Sequence, residues 1–208
     1  MNLIEQLQKQ KPTYGHQPPQ DTLQFIPGLW VNGNYFWLQN SKEKVINEEE
    51  IIVKVKQVQP HSKVRLSSVY VSNHSKETKE VKILAMHYHP NVIHDHLAFV
   101  SPTDSRIFHL AHKSIYLVNG DIDGMAMKEY TAMPQWNAFT DQIWSSLQKG
   151  TLNYHPMAKG PASSIFSMKM KIGPHEIGKM NTWTITGSNK NELLSMEHAL
   201  LKQTESKH

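Results

Sequence analysis

The chain contains no cysteine. That excludes disulfides, cysteine-ligated zinc, iron–sulfur clusters and a thiol nucleophile. It has no run near the ~18 to 20 apolar residues that a bilayer-spanning helix needs, so membrane insertion is not expected. Met1 to Gln20 lacks the apolar core of a secretory signal, which points to a cytoplasmic protein and leaves release or packaging without a signal open. Arginine is scarce: Arg65 and Arg106 are the only two among 22 basic residues. No four Lys or Arg residues are consecutive. Arginine is the usual reader of base edges and phosphates, so the net charge of +4 and the pI near 9.1 describe a solvated basic surface, with no nucleic-acid partner expected. The phosphate-binding glycine loops and the G-x-S-x-G elbow of hydrolases are also missing. Gly120-Asp121-Ile122-Asp123-Gly124 lacks the later ligands of a calcium loop and reads as a turn.

What is present describes a globular β protein. The 208 residues are 38% apolar and include 5 Trp, 6 Phe and 7 Tyr, enough to build a core. Residues 1–24 read as a flexible Gln/Pro-rich lead-in, with Pro12, Pro18 and Pro19. Residues 25–208 read as one β-sandwich domain. Trp30 to Leu38 is broken by Asn32-Gly33-Asn34, a tight-turn signal. Val53 and Val55 alternate with Lys54 and Lys56, the period of a half-buried strand. In the next strand, Val64 and Leu66 share one parity while Val69 and Val71 take the other, so a bulge is predicted at Ser67-Ser68. Further strands are predicted over 80–89, 97–100, 106–110, 115–118, 163–172 and 181–186. Trp136, Phe139, Ile143, Trp144 and Leu147 form a stripe that predicts a packed helix over 134–149. A second helix is predicted over 190–203, opened by Asn189 with Glu192 three residues on. The expected fold is mainly β: an antiparallel sandwich of roughly 9 to 12 strands with one packed helix and a C-terminal helix.

Histidine is the unusual residue. Eight of the 13 lie between His61 and His112. His87-Tyr88-His89 and His94-Asp95-His96 each place two rings on one face of a strand. His87, His89, His94 and His96 are therefore the candidate metal ligands, for a divalent transition metal such as zinc. The favoured reading of His87 is nonetheless a core residue, since its strand is apolar on both parities, and no cofactor is expected. Clustered imidazoles also suggest a pH-sensitive interface. The second candidate group is aromatic. Sugars stack on flat rings, and Trp30, Tyr35 and Trp37 are the candidate ligand-binding residues, beside Phe36.

Ile172-Gly173-Pro174-His175-Glu176, then Trp183-Thr184-Ile185-Thr186-Gly187, then the helix from Glu192 to Leu201 form a strand, turn, strand and helix. This passage resembles the close of the N-terminal β-sandwich (supersandwich) domain of family 15 and family 65 glycoside hydrolases and phosphorylases. The turn order differs from theirs, and the helical barrel with their catalytic glutamates lies outside this sequence. No catalytic residue carries over. The resemblance implies a non-catalytic module that binds carbohydrate or a protein partner, or acts through homo-oligomer contacts. A histidine-ligated metal enzyme is the alternative.

Overall fold

The computed structural model describes residues 22–90 and 96–205. In chain order the strands begin with β1 (Gln24–Val31), β2 (Asn34–Trp37), β3 (Glu43–Ile46), β4 (Ile51–His61), β5 (Val64–Asn73) and β6 (Lys79–Tyr88). They continue with β7 (His96–Val100), β8 (Ile107–Ala111), β9 (Ser114–Ile122), β10 (Met125–Ala126) and β11 (Glu129–Pro134). The last are β12 (Trp144–Ser146), β13 (Thr151–Leu152), β14 (Met157–Lys159), β15 (Ala162–Ile172) and β16 (Ile177–Gly187), before helix α1 (Lys190–Glu205). The 16 strands among the described residues exceed the predicted 9 to 12, because pieces of two to four residues are too short to show a period.

The first sheet has the order β2-β1-β6-β15-β11 and the second β3-β4-β5-β16-β9-β8-β7-β14, with β10 against β9. Every pairing is antiparallel. Asn32 and Gly33 take φ of 49° and 80°, the left-handed pair that lets two residues join β1 to β2. The sheets face each other across Leu29, Val31, Val81, Ile83, Phe166 and Met168 on one side and Ile51, Val53, Val69, Val71, Tyr116 and Val118 on the other.

Both outer faces are covered too, which explains why β5 and β6 are apolar on both parities. Helix α1 lies on the second sheet, with Leu193 and Leu200 against Val64, Phe108, Leu117 and Trp183. Its start is capped as expected: Asn189 Oδ1 accepts from the Glu192 amide at 3.0 Å, and Glu192 Oε2 accepts from the Ser188 amide at 2.9 Å. Glu197 is 1% exposed and accepts from Arg106 Nε at 2.6 Å, Asn119 Nδ2 at 2.8 Å and Trp183 Nε1 at 3.0 Å. Those bonds compensate the burial of its charge and latch the helix to the sheet. No helix among the described residues is long and apolar enough to cross a membrane.

Two local expectations are corrected. There is no bulge at Ser67-Ser68: β5 pairs with β16 in unbroken register from Val64 to Ser72. Val64 and Leu66 face α1 while Val69 and Val71 face the inner core, so the parity change records a second apolar layer. The bulge lies in β4, between Val58 and His61.

Nor is there a helix over 134–149. The segment forms two 3-10 turns, Gln135–Asn137 and Asp141–Ile143, and then enters the β12–β13 hairpin. Asn137, Thr140, Asp141, Ser145 and Ser146 offer the backbone alternatives to helical bonds. Thr140 Oγ1 donates to the Asn137 carbonyl at 2.9 Å and accepts from the Gln142 amide at 3.3 Å. The layer covers the first sheet with Ala138, Ile143, Trp144 and Leu152. Gly150, at φ 59°, closes it over Trp30; a Cβ there would sit 2.6 Å from the indole.

Candidate functional site

Of the predicted metal ligands, His89 and His96 come together with their rings 6.4 Å apart, and His87 packs between two phenyl rings. His87 ends the inner face of β6, stacked between Phe25 at 5.1 Å and Phe166 at 6.2 Å. It is 1% exposed, and its Nδ1 has no hydrogen-bond partner among the described residues. Burial pushes its pKa down to about 3, so the ring is neutral at ordinary pH. His89 is also buried and packs edge-on to His96, His112 and Tyr116. His94 lies outside the described residues.

His96 opens β7 and bonds, through Nε2, to Nδ1 of His109 on β8 at 3.0 Å. His109 Nε2 lies 2.7 Å from Ser164 Oγ on β15, so this chain ties the two sheets together. The Ala162 amide donates to His96 Nδ1 at 3.4 Å. That makes His96 Nε2 the donor to His109, and His109 Nε2 in turn the donor to Ser164. A serine activated for attack needs the opposite polarity, with the imidazole accepting its proton. Ser164 is also fully enclosed. The chain therefore joins the sheets and activates no nucleophile. Burial, and then the nearby His89, pushes the pKa of His96 down to about 4. Burial, and then His96, His87 and His89, holds that of His109 well below its usual value. Among the described residues, no three His, Cys, Asp or Glu side chains are grouped to hold a metal ion.

The aromatic candidates fall together on the outer side of the first sheet. Trp30 is enclosed, its Nε1 donating to the Leu147 carbonyl at 2.7 Å. Tyr35 and Trp37 are half-buried and meet edge-on at 6.4 Å. Tyr35 Oη donates to Asp141 Oδ1 at 2.9 Å, which pins the second 3-10 turn to β2. Burial, followed by that bond and the Asp141 charge, pushes the phenol up to about 12. Phe139 packs edge-on to Trp37 at 6.4 Å and Trp144 to Tyr35 at 5.4 Å.

Of this group Trp144 alone lines a surface cleft of about 390 Å³, which sequence reasoning missed; Trp30, Tyr35 and Trp37 do not line it. Asn137, Gln142, Trp144, Asn153, His155 and Lys159 line it. Trp136, in the turn that supplies Asn137, is 65% exposed, and Tyr154, between Asn153 and His155, is 59% exposed. Trp144 is 8% exposed and its Nε1 has no hydrogen-bond partner among the described residues. The sequence signal was the density of Asn, Thr and Ser over 137–153. It marks a shaped loop where the aromatic spacing alone suggests a helix.

No family model matches the sequence, and no curated protein matches it. Among solved structures, a polysaccharide lyase superposes with a TM-score of 0.46 at 7% identity, over 81% of this chain. This chain spans 26% of the lyase's length. At that similarity the neighbour supports no inference about this chain. The family resemblance of the 172–201 passage is thus matched by neither a family model nor a curated relative.

Proposed function

We propose that this protein is a non-catalytic carbohydrate-binding module that holds a glycan in the cleft outside the first sheet. The observation that carries this reading is Trp136, 65% exposed on a braced turn beside that polar cleft. An indole offers a large apolar face whose burial favours association, and a pyranose ring presents a matching face of C–H groups. Asn137, Gln142, Asn153 and His155 can exchange hydrogen bonds with sugar hydroxyls, and the unpartnered Trp144 Nε1 adds a donor at the wall. The aromatic group of Tyr35, Trp37 and Phe139 supports the turns from behind.

The test is affinity electrophoresis through gels that contain soluble starch, xylan or pectin. Retention by one of them, weakened at least about tenfold in Trp136→Ala with an unchanged melting curve, is the expected result; tenfold is ~1.4 kcal/mol, the scale of one stacked ring. Unretarded migration in all three gels, or equal retention of wild type and variant, refutes the reading. A second reading, assembly through this face, is favoured by the exposed Phe139, Tyr154 and Met157 beside Trp136. It predicts that Trp136→Ala converts a dimer to a monomer in sedimentation.

A further inference from the structure

Residues 135–143 carry the exposed Trp136 and two of the residues that line the outer cleft, Asn137 and Gln142. The chain there makes two 3-10 turns. Their hydrogen bonds run within the segment: the amides of Ala138, Thr140 and Ile143 donate to the carbonyls of Gln135, Asn137 and Thr140, and Thr140 Oγ1 bonds to Asn137 and Gln142. The two ends are tied down by backbone. The Gln135 amide donates to the Pro161 carbonyl at 2.9 Å, and the Ile143 carbonyl accepts from the Asn153 amide at 2.8 Å. Between those ends, among the described residues, a single hydrogen bond leaves the segment. It runs from Tyr35 Oη to Asp141 Oδ1 at 2.9 Å, across 106 positions of sequence.

Short 3-10 turns are poor anchors for binding residues. Their i→i+3 bonds have weaker geometry than helical ones, and isolated turns gain little from cooperativity. Ala138 and Ile143 press the turns onto the first sheet. Apolar burial is non-directional, so it holds the turns against the sheet without fixing where they stand along it. A hydrogen bond has both a length and an angle, and the Tyr35–Asp141 bond supplies that missing constraint. Its acceptor is a carboxylate, which makes it the stronger kind. Asp141 directly precedes Gln142. The ring of the same tyrosine meets Trp144, in the cleft wall, edge-on at 5.4 Å. Tyr35 stands on β2, paired opposite Trp30 of β1, so its own place is set by a sheet. It does not line the cleft, and it reaches the cleft wall through two residues that adjoin or form it.

We infer that Tyr35 is a positioning residue for the outer cleft: its hydroxyl, acting through Asp141, fixes where Trp136, Asn137 and Gln142 stand relative to Trp144. The inference rests on the glycan reading of that cleft. It gives a holding role to a residue whose ring alone suggests contact with sugar. The phenol remains a donor far above neutral pH, since burial, then the bond to Asp141 and its charge, push it up to about 12.

Two measurements on the full-length protein test this. The first needs no ligand: amide hydrogen exchange in Tyr35→Phe, which keeps the ring against Trp144 and removes the bond. Exchange at Gln142 and Ile143 should rise at least about fivefold, the scale of one hydrogen bond, while the β1 and β6 amides stay unchanged. The second is retention in whichever of the starch, xylan or pectin gels retards the wild type. Tyr35→Phe should weaken it about fivefold at an unchanged melting temperature. Asp141→Ala should match that loss, and the double variant should add nothing to it. Asp141→Asn keeps the Oδ1 acceptor and should stay within about twofold of wild type. Unchanged exchange at Gln142 and Ile143 overturns the inference whatever the gels show. Faster exchange with undiminished retention overturns it too, and leaves the glycan reading intact. A wild type unretarded in all three gels refutes the glycan reading and this inference together.

Discussion

Asn73 and His87 are both 1% exposed, both polar, and lie at opposite ends of the space between the sheets. Asn73 is completely employed. Its Nδ2 donates to the carbonyls of Glu77 at 2.7 Å, Gly173 at 3.0 Å and Ile172 at 3.1 Å, and its Oδ1 accepts from the amide and hydroxyl of Ser75. It closes the apolar end by joining the loop after β5 to the end of β15. His87 holds only ring contacts and an unpaired Nδ1. Equal burial therefore hides opposite roles. A satisfied polar group specifies the fold, whereas an unsatisfied one is a penalty that the fold carries.

Acid separates the two ends most strongly. His87, His96 and His109 are held neutral in the fold, with values of about 3 and about 4 for the first two and a value well below 6.5 for the third. A histidine with a depressed folded value contributes stability that is fully present above about pH 6.5. That stability is lost as pH falls, because the unfolded chain then binds protons the fold refuses. The loss continues until the folded rings titrate, near pH 4 for His96 and lower for His87. Three such rings set an upper slope of about 4 kcal/mol per pH unit. Urea unfolding at pH 7, 6 and 5 should show a steep decline, and hydrogen exchange should rise first in β7 and β8. A flat profile between pH 7 and pH 5 would mean that these rings are not neutral and buried together.

Asn73→Ala attacks the other end. It strands the carbonyls of Ile172, Gly173 and Glu77 and the Ser75 amide, for a loss of about 3 kcal/mol that does not vary between pH 5 and 7. A loss below about 1 kcal/mol in chemical denaturation would show that water replaces those bonds readily.

The alternation Val53-Lys54-Val55-Lys56 and the capping pair Asn189 and Glu192 made the β4 strand and α1 legible in the sequence, because each is a local signal. The layers are not local. Val64 and Leu66 change parity because α1, more than 120 residues later, covers them. Read alone, that change mimics a bulge, and the misreading conceals that Arg65 and Ser67 point inward. Spacing was equally ambiguous over 134–149, where turns pressed on a sheet and a helix both repeat apolar residues every three or four positions. Asn137, Thr140 and Asp141 break the tie. The histidine cluster was visible as composition. That His96 reaches Ser164 through His109 follows only from two sheets facing each other. Tyr35 and Trp37 share the outer side of the first sheet with the segment carrying Trp136, which the apolar spacing assigns to packing and the fold leaves 65% exposed.

Ser164→Ala tests the polar end at smaller scale. It leaves the His109 Nε2–H without its acceptor, inside protein, for a loss of roughly 1 to 3 kcal/mol at pH 7. Ser164→Thr keeps a hydroxyl and should recover part of it. If both variants match wild type in their urea midpoints, the imidazole chain is not holding the sheets together.

His87→Leu gives the smallest change and the sharpest contrast with Asn73. Replacing a satisfied buried polar group is costly, but replacing an unsatisfied one by an apolar side chain of similar volume removes an existing penalty. Phe25 and Phe166 already flank the site with apolar surface, so a leucine side chain is compatible with both neighbours. The variant should keep wild-type stability at pH 7 to within about 1 kcal/mol, or gain slightly, and should lose part of the acid sensitivity. A protein that gains stability when the residue is removed keeps that residue for another purpose. A loss as large as that of Asn73→Ala would instead place His87 with the structural polar groups, and the two ends of the sandwich would cease to differ in kind.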